Sequence, residues 1–526
     1  MKYIRRFGAL LGLVLLLSTT ACATQKTTSP GQVDAPDGTF VGKTTDTGRQ
    51  FLGIRYAQPP VGPLRWAAPK PVSATHQRYV AKKFGSDCVQ PVNGWNFNPK
   101  PGDSMRGSED CLFLNVYSPR EDTHPKPVMV WIHGGGFVTG AGRDYDPHIL
   151  AERHDAIVVT INYRLGALGF LSHPALGRES GNFGLLDQQM ALQWVQRNIA
   201  AFGGDRSRVT IFGESAGGVS VCGHLRAPGS KGLFTRAIDE SGPCAGIPRK
   251  VADQRGESYA RAAKCPSTGQ EALRCLRSIP ARTVAANPPG DIAAGDTPWT
   301  LVSDTAVLPH NLDRKDGALN RVPVINGSNG DEGRLFAQAA LPLLRTEADY
   351  KKNVQTQFGP KAKEVMAQYP VRNYASPALA YADYMTDFLF ACPAFQADTA
   401  LSQQMPVYGY EFNERTGNYW KPAPKEIPSL GAHHAKEIQF IFQTPSFFGG
   451  PADLTAKQKR LSDQMMQAWA SFARDGVPAI HGQAPWKPVR QGKVLIRNLD
   501  TRGPTSVGDF AEQHKCGFWS SLPTPG

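Results

Sequence analysis

A serine flanked by small residues follows a short apolar run in the middle of the chain. The run at 209–212 leads into the pentapeptide GESAG (213–217) and then into a helix-compatible stretch. Small neighbours let a serine sit in a sharp strand-to-helix turn with its hydroxyl exposed. A helix that begins beside Ser215 also directs its positive end towards developing negative charge. The pattern predicts a nucleophilic Ser215, although five residues alone recur by chance and need further context.

A glycine-rich segment upstream supplies that context. The apolar run at 128–132 leads into the sequence HGGGF (133–137). Successive glycines leave backbone N–H groups unshielded, so several of them can converge on one oxygen. We expect the N–H groups of Gly135, Gly136 and Ala216 to bind an oxyanion. His133 is interpreted as a structural residue.

Two pairs of residues further along the chain are candidates for an acid and a base. Asp331 and Glu332 come shortly after the apolar run at 322–325, which places them at the carboxyl edge of a parallel sheet. His433 and His434 come after these carboxylates in the chain, so the order is serine, acid, histidine. The residue types alone leave open which member of each pair would take part.

These residues need a scaffold that brings them together, and the hydrophobic pattern predicts one. Short apolar runs rich in β-branched residues alternate with two stretches that have helical spacing. The predicted strands lie at 128–132, 156–161, 209–212, 322–325 and 407–412, and the predicted helices lie at 185–199 and 461–472. This alternation predicts a mainly parallel sheet flanked by helices. With no repeat or low-complexity linker after Gly31, we expect one large domain over 35–526.

Composition narrows the class of protein further. The chain has 526 residues, of which 41% are hydrophobic and 20% charged, which excludes a disordered chain and a coiled coil. The formal net charge is +13, yet no Lys/Arg run or zinc-ligand spacing accompanies it. We interpret this charge as a solvated basic surface, and we expect no nucleic-acid partner and no bound metal. Nothing in the sequence assigns an oligomeric state.

The N-terminus has the order of a secretory signal. Basic residues precede an apolar run at 7–18 that is too short to span a bilayer, and small residues follow it. Cleavage before Cys22 would give a lipid-anchored protein with 23–34 as a flexible tether, whereas cleavage after Ala23 would release a soluble one. We therefore expect residues 1–22 to be a signal peptide and the protein to be exported. It would be an outer-membrane or periplasmic lipoprotein anchored only through Cys22, or a secreted protein.

Several long motifs resemble one family. The stretch EDCLFLNVYSP (109–119) resembles the second signature of the type-B carboxylesterases, and GESAG lies within their nucleophile signature. Further matching segments are FLGIRYAQPPVG (51–62), GNFGLLDQQ (181–189), DEG (331–333), GAHH (431–434) and CGFW (516–519). The resemblance covers roughly 35–520. It implies an α/β-hydrolase fold, with a large, mostly parallel central sheet flanked by helices and long insertions over the active site.

The resemblance also implies roles for individual residues. The family register assigns the acid to Glu332 rather than Asp331, and the base to His434 rather than His433. It further implies that Glu214 orients the base. Glu437 is assigned the same supporting role.

The function implied in this way is hydrolysis of small-molecule carboxylic esters by a serine carboxylesterase. The reaction passes through an acyl-enzyme and needs no metal or cofactor. One alternative is a catalytically silent adhesion or binding protein on the same scaffold. Another is a hydrolase of carbamate, amide or thioester bonds. We expect variable loops around Pro298 and Trp299 and at 387–390 to line the substrate pockets.

The resemblance orders most of the cysteines. If Cys22 is lipidated or removed, eight cysteines remain, an even number that suggests disulfides in an exported chain. The family pattern implies three bonds: Cys88 with Cys111, Cys265 with Cys275, and Cys392 with Cys516. Parity leaves Cys222 and Cys244 either joined to each other or as two buried thiols.

Overall fold

An eleven-stranded sheet forms the centre of the protein in a computed structural model. The structure describes residues 31–74, 77–93, 100–120, 124–286, 299–312, 319–417, 424–444, 453–490, 494–503 and 505–522. The signal peptide, Cys22, most of the expected tether and Pro298 lie outside these residues.

The strands of the described residues belong to this central sheet and to three small ones. They are β1 (Gln32–Ala35), β2 (Gly38–Val41), β3 (Lys43–Thr44), β4 (Gly48–Arg55), β5 (Arg78–Val80), β6 (Gln90–Pro91), β7 (Met105–Arg106), β8 (Phe113–Pro119), β9 (Lys126–Ile132), β10 (Ile157–Ile161), β11 (Gly204–Glu214), β12 (Arg236–Glu240), β13 (Ile247–Pro248), β14 (Val302–Ser303), β15 (Val324–Asn329), β16 (Val407–Phe412), β17 (Ile496–Leu499) and β18 (Thr505–Val507).

Helices cover both faces of the sheet. They are α1 (His148–Arg153), α2 (Gly166–Phe170), α3 (Phe183–Asn198), α4 (Ala216–Arg226), α5 (Arg249–Ala262), α6 (Gly269–Ser278), α7 (Ala281–Ala285), α8 (Gly333–Ala339), α9 (Glu347–Phe358), α10 (Ala362–Gln368), α11 (Pro377–Thr386), α12 (Cys392–Leu401), α13 (Ile438–Phe442), α14 (Ala456–Asp475), α15 (Phe510–Gln513) and α16 (Cys516–Ser521). A π-helical turn, Asp387–Ala391, joins α11 to α12.

The order of the central strands is β18-β17-β16-β15-β12-β11-β9-β10-β8-β4-β3. All neighbours from β17 to β10 in this order run parallel, and the pairs at both edges run antiparallel. The mainly parallel sheet expected from the sequence is therefore confirmed. Each predicted strand overlaps an observed one, and β11 extends beyond the apolar run that predicted it.

The central strands are buried on both faces, as parallel strands covered by helices must be. Along β9, Val128, Val130 and Ile132 pack in one hydrophobic cluster, which includes residues of α3 and α4. Met129 and Trp131 pack in a second cluster on the other face, where α14 lies. The carboxyl ends of these strands therefore meet at one edge of a rigid, fully buried layer.

The sequence of helix α14 explains why a helix forms there and where it begins and ends. Its apolar stripe, predicted at 461–472, faces the second cluster. Thr455 caps its N-terminus in a reciprocal arrangement with Gln458. Gly476 ends it in the left-handed conformation, which glycine adopts without steric cost.

The N-terminal boundary requires a correction. Residues 32–34 were expected in the tether, but they begin β1, in which Gln32 pairs with Val41 of β2. The buried side chain of Val33 anchors this strand in the first cluster. Backbone pairing and apolar burial therefore start earlier than composition indicated.

Four disulfides are present in the described residues. They join Cys88 to Cys111, Cys265 to Cys275, Cys392 to Cys516 and Cys222 to Cys244. The last pair settles the alternative that parity had left open. None of the described helices is both long and apolar enough to cross a lipid bilayer.

Candidate active site

Ser215 lies in the turn between the end of β11 and the start of α4. Its backbone has a φ of 57° and a ψ of −122°, a conformation that is strained for a residue with a side chain. A Cβ atom added to Gly217 would lie 2.0 Å from the carbonyl oxygen of Ile132, so this close approach requires glycine. The Ser215 N–H donates to the carbonyl of Glu240 at 2.8 Å. The turn is thus fixed on both sides, and the hydroxyl of Ser215 projects from the sheet edge.

The imidazole of His434 lies between the Ser215 hydroxyl and a carboxylate. Its Nε2 is 2.9 Å from Ser215 Oγ, and its Nδ1 is 2.6 Å from Oε2 of Glu332. Glu332 follows β15 directly before α8, at the carboxyl edge where the sequence placed it. This geometry allows a proton to pass from a hydroxyl to an imidazole whose other nitrogen is held by a buried anion.

The second carboxylate oxygen of Glu332 also accepts hydrogen bonds. Its Oε1 accepts hydrogen bonds from the hydroxyl of Ser241 at 2.5 Å and from the N–H of Asn329 at 2.7 Å. Glu332 has no exposed surface, so these donors replace the water that an ionised carboxylate requires. They also fix the orientation of the oxygen that faces His434.

The alternative acid, Asp331, makes different contacts. Its Oδ2 accepts the N–H of Ala432 at 2.9 Å and lies 2.7 Å from Nε of Arg415. Its Oδ1 is 2.9 Å from the guanidinium of Arg334. The described contacts of Asp331 therefore brace the loop that carries the histidines and do not include the His434 imidazole.

The alternative base, His433, points away from Ser215. Its Nδ1 is 2.7 Å from the backbone oxygen of His434. Burial lowers the pKa of His433 to about 3, so the ring is neutral at ordinary pH. Its backbone oxygen accepts a hydrogen bond from Asn329 Nδ2 at 2.9 Å. These contacts are those of a residue that shapes the loop.

The glycine loop passes directly against the serine. A Cβ atom added to Gly134 would lie 3.1 Å from Cβ of Ser215. Gly135 and Gly136 both have positive φ values, 99° and 61°. Within the described part of the chain, no recorded hydrogen bond uses the N–H of Gly135, Gly136 or Ala216. These three donors are available for an oxygen held beside Ser215.

His133 has the environment of a structural residue. Its ring is fully buried and stacks on Tyr163 with the centroids 4.4 Å apart. Its Nδ1 lies 2.9 Å from the oxygen of Gly134. Burial lowers the pKa of His133 to about 4, which leaves it neutral.

Two further buried carboxylates belong to this region, one beside the imidazole and one bonded to Asn329. Oε1 of Glu214 is 3.2 Å from Nε2 of His434, although without hydrogen-bond geometry. Oε2 of Glu437 accepts a hydrogen bond from Asn329 Nδ2. Burial, together with neighbouring carboxylates, raises the pKa of both Glu214 and Glu437 well above the usual range. The structure thus brings both predicted supporting acids to the site.

Aromatic rings form a wall next to the imidazole. The rings of Phe336 and Phe390 lie 5.1 Å and 4.8 Å from that of His434, and they stack on each other. The predicted lining segment at 387–390 is a π-helical turn, and Phe390 is its contribution to this wall. Trp299 is buried against Tyr259, with the ring centroids 6.1 Å apart, and makes no described contact with His434.

The residues that the sequence analysis missed are Ser241, Glu240, Asn329 and Phe336. Ser241 and Glu240 lie at the end of β12, between two strands that carry predicted site residues. The same rule that located Glu332 at the carboxyl edge of the sheet applies to them. No sequence pattern identifies Phe336 as a site residue, because an apolar residue on a short helix looks the same in sequence as a core residue.

No group of three or more His, Cys, Asp or Glu side chains is placed to hold a metal ion within the described ranges. The sheet order and the serine in the strand-turn-helix motif together define an α/β hydrolase. Comparison with known proteins then identifies the family. The model of the carboxylesterase family matches residues 29–519, and the chain belongs to this family.

Relatives with known names are similar along most of their length. Para-nitrobenzyl esterase of Bacillus subtilis (strain 168) is 36% identical, and the alignment covers 86% of this chain and 92% of that protein. Human cocaine esterase is 34% identical over 98% of this chain and 94% of its own length. A solved thermophilic PNB esterase has a TM-score of 0.80 at 31% identity, covering 93% of this chain and 100% of that one. The expected family, fold and enzyme class are therefore confirmed, and the chain is a carboxylic ester hydrolase.

Proposed function

We propose that this protein is an exported serine carboxylesterase in which Ser215, His434 and Glu332 form the catalytic triad. The observation that carries this proposal is the unbroken chain of contacts from Ser215 Oγ through both nitrogens of His434 to Oε2 of Glu332. His434 removes the hydroxyl proton as Ser215 attacks the ester carbonyl, and Glu332 stabilises the resulting imidazolium. His434 then returns the proton to the departing alcohol.

The negative charge of the tetrahedral intermediate requires donors placed in advance. The N–H groups of Gly135, Gly136 and Ala216 hold the oxyanion in this proposal. The close approach of Gly134 to Ser215 supports it, as do the positive φ values of Gly135 and Gly136 in the glycine loop. Such fixed donors in a dry site typically contribute about 10²–10³-fold each to turnover.

Deacylation uses the same residues. Water enters after the alcohol departs and attacks the acyl carbonyl while His434 takes its proton. The bond between the acyl carbon and Ser215 Oγ then breaks, and His434 returns the proton to Oγ as the acid leaves. Glu214 and Glu437 support His434 during these transfers. The position of Glu214, 3.2 Å from Nε2 of His434, favours this role.

The substrate class we infer is a small ester with an apolar group. The wall formed by Phe336 and Phe390 supports this inference, because it offers apolar and aromatic contacts directly beside His434. The names of the related esterases are consistent with small organic esters as substrates. A panel of esters that varies acyl length and alcohol size separately would define the preference.

The location we propose is outside the cytoplasm. The four disulfides support it, because such bonds persist in oxidising compartments. The leader at 1–22 and Cys22 supply the proposed signal and lipid acceptor. In this proposal the single catalytic domain begins with β1 at Gln32 and extends to the C-terminal region of the chain.

The experiment that tests the triad compares a variant of Ser215, at the start of α4, with a variant of Ser220 on the helix itself. Ser215→Ala should remain folded and lose turnover on the order of 10³-fold or more, because the nucleophile is removed while the oxyanion donors remain. Ser220→Ala is the matched control, since its hydroxyl binds the Ala216 carbonyl one turn along α4. Near-normal ester turnover by Ser215→Ala would refute the proposed mechanism.

A further inference from the structure

The last residue of β12, Glu240, contacts the nucleophile turn through its backbone. Its carbonyl oxygen accepts the N–H of Ser215 at 2.8 Å. The next residue, Ser241, donates its hydroxyl to Oε1 of Glu332 at 2.5 Å. Two adjacent residues therefore hold both the serine and the acid of the proposed triad. A small movement at this point would displace both.

The side chain of Glu240 is completely buried. Its Oε1 accepts a hydrogen bond from the indole Nε1 of Trp469 on α14 at 2.8 Å. Its Oε2 has no hydrogen-bond partner within the part of the chain that the structure describes. No ion pair is recorded for this carboxyl among those residues either. One neutral donor does not compensate for the burial of an ionised carboxylate.

The surroundings of Glu240 favour its neutral form. Burial is the main cause that raises the pKa of Glu240 to about 8, and the bond from Trp469 offsets only part of it. The titratable groups near it are Glu214 on β11, Asp239 on β12, Tyr410 on β16 and Glu437 before α13, and Glu240 is among the causes that raise the pKa of each. The hydroxyl of Tyr410 also lacks a partner among the described residues.

We propose that Glu240 is a positioning residue for Ser215 and that it works as a neutral carboxylic acid. With a proton on Oε2, its Oε1 still accepts from Trp469 and no net charge is buried. Loss of that proton to water leaves a buried carboxylate whose only described donor is the indole of Trp469, at a high cost in desolvation. The end of β12 then shifts and weakens the contacts to Ser215 and Glu332. This inference rests on the proposed role of Ser215 as the nucleophile.

The inference predicts a particular pH dependence of acylation. The rate at which Ser215 is acylated should fall as pH rises through about 8 and should be roughly tenfold lower one pH unit above that value. In Glu240→Gln the side chain has nearly the same shape and stays neutral at every pH, so this alkaline fall should disappear. At pH 7, Glu240→Ala should lower acylation at least ~10-fold, and Glu240→Gln should restore most of the loss.

A matched control separates this role from general alkaline damage. Asp398 on α12 is also fully buried with a pKa raised to about 8, but its carboxylate accepts from Asn326 and makes no described contact with Ser215 or Glu332. Asp398→Asn should keep the alkaline fall. Trp469→Phe removes the donor to Oε1 and should lower acylation at pH 7.

Two further measurements test the proposal for Glu240 and the role of Ser215 separately. The infrared difference spectrum of the wild type minus Glu240→Gln should show the C=O stretch of a protonated acid at pH 7, and this difference band should be lost as pH passes 8. The inference is wrong if that difference band is missing, if Glu240→Gln keeps the alkaline fall, or if Asp398→Asn loses it as well. Stoichiometric labelling of Ser215 by a fluorophosphonate in the same samples tests the nucleophile separately, so failure of Glu240 is distinguishable from failure of the triad.

Discussion

The neighbouring carboxylates of Asp331 and Glu332 hold one loop at two points. Asp331 Oδ2 accepts the N–H of Ala432 at 2.9 Å, while Glu332 Oε2 lies 2.6 Å from Nδ1 of His434. Both residues lie on the short turn between β15 and α8. The turn therefore fixes both the backbone of the histidine loop and the ring that the loop presents.

Because Asp331 and Glu332 make different contacts, two conservative variants should have different outcomes. Glu332→Gln should lower kcat on the order of 10³–10⁴-fold with little change in KM, because orientation of His434 and stabilisation of its imidazolium matter in the transition state. Asp331→Asn should mainly lower the free energy of unfolding, because it removes the ion pairs with Arg334 and Arg415. Steady-state kinetics and urea unfolding measure both. A mild Glu332→Gln beside an inactive Asp331→Asn would show that the acid is assigned one residue too late.

A buried histidine outside the triad, His514, should make stability fall at alkaline pH. His514 lies between Asp387 and Glu411, with Nδ1 2.6 Å and Nε2 2.8 Å from their oxygens. Burial alone would lower the pKa of His514, but the two carboxylates outweigh it and raise the pKa to about 9. The extra stability is complete below the unfolded pKa of about 6.5 and is lost as pH rises through 9. Its size is on the order of 3 kcal/mol.

Urea unfolding of the wild type and His514→Gln between pH 6.5 and 10 measures this effect. The loss of stability should be present in the wild type and largely absent from the variant. His224→Gln is the control, because burial lowers the pKa of His224 to about 3 and this residue stays neutral over the whole range. Equal alkaline slopes in the wild type and His514→Gln would contradict the prediction.

The disulfides should differ in how much they stabilise the fold. The bond from Cys392 to Cys516 spans 124 residues, whereas that from Cys265 to Cys275 spans 10. Loop-closure entropy predicts that paired serine substitutions cost ~2–5 kcal/mol, with the long loop at the upper end. Urea midpoints and m-values of the two double variants give the comparison. A larger loss for the short loop would show that chain entropy does not dominate.

Attachment to a membrane depends on Cys22. If this residue carries the lipid, Cys22→Ala should move the esterase from the membrane fraction to the soluble fraction, because two acyl chains at the N-terminus give stable anchoring. The substitution leaves the alternative cleavage after Ala23 possible. A wild-type enzyme that is already soluble and starts at Thr24 would exclude the lipoprotein.

Sequence patterns located the parts of the site that are contiguous in the chain. The glycine loop follows β9 directly, and Ser215 follows β11. In both cases the strand pattern and the motif are adjacent in the sequence, so one short segment predicts both. The contact between Ser241 and Glu332 joins residues 91 positions apart, and no local pattern records such a pairing. The π-helical turn that presents Phe390 was likewise not predictable, because its register depends on packing against α8 and the histidine loop.

The proposal that Ser215 is the nucleophile is tested most directly by covalent labelling with a fluorophosphonate, followed by peptide mapping. One adduct per chain should appear on the peptide that contains Ser215, with loss of ester turnover in proportion to labelling. Ser215→Ala should take up no label under the same conditions. A stoichiometric adduct on any other serine, or equal labelling of Ser215→Ala, would contradict the mechanism.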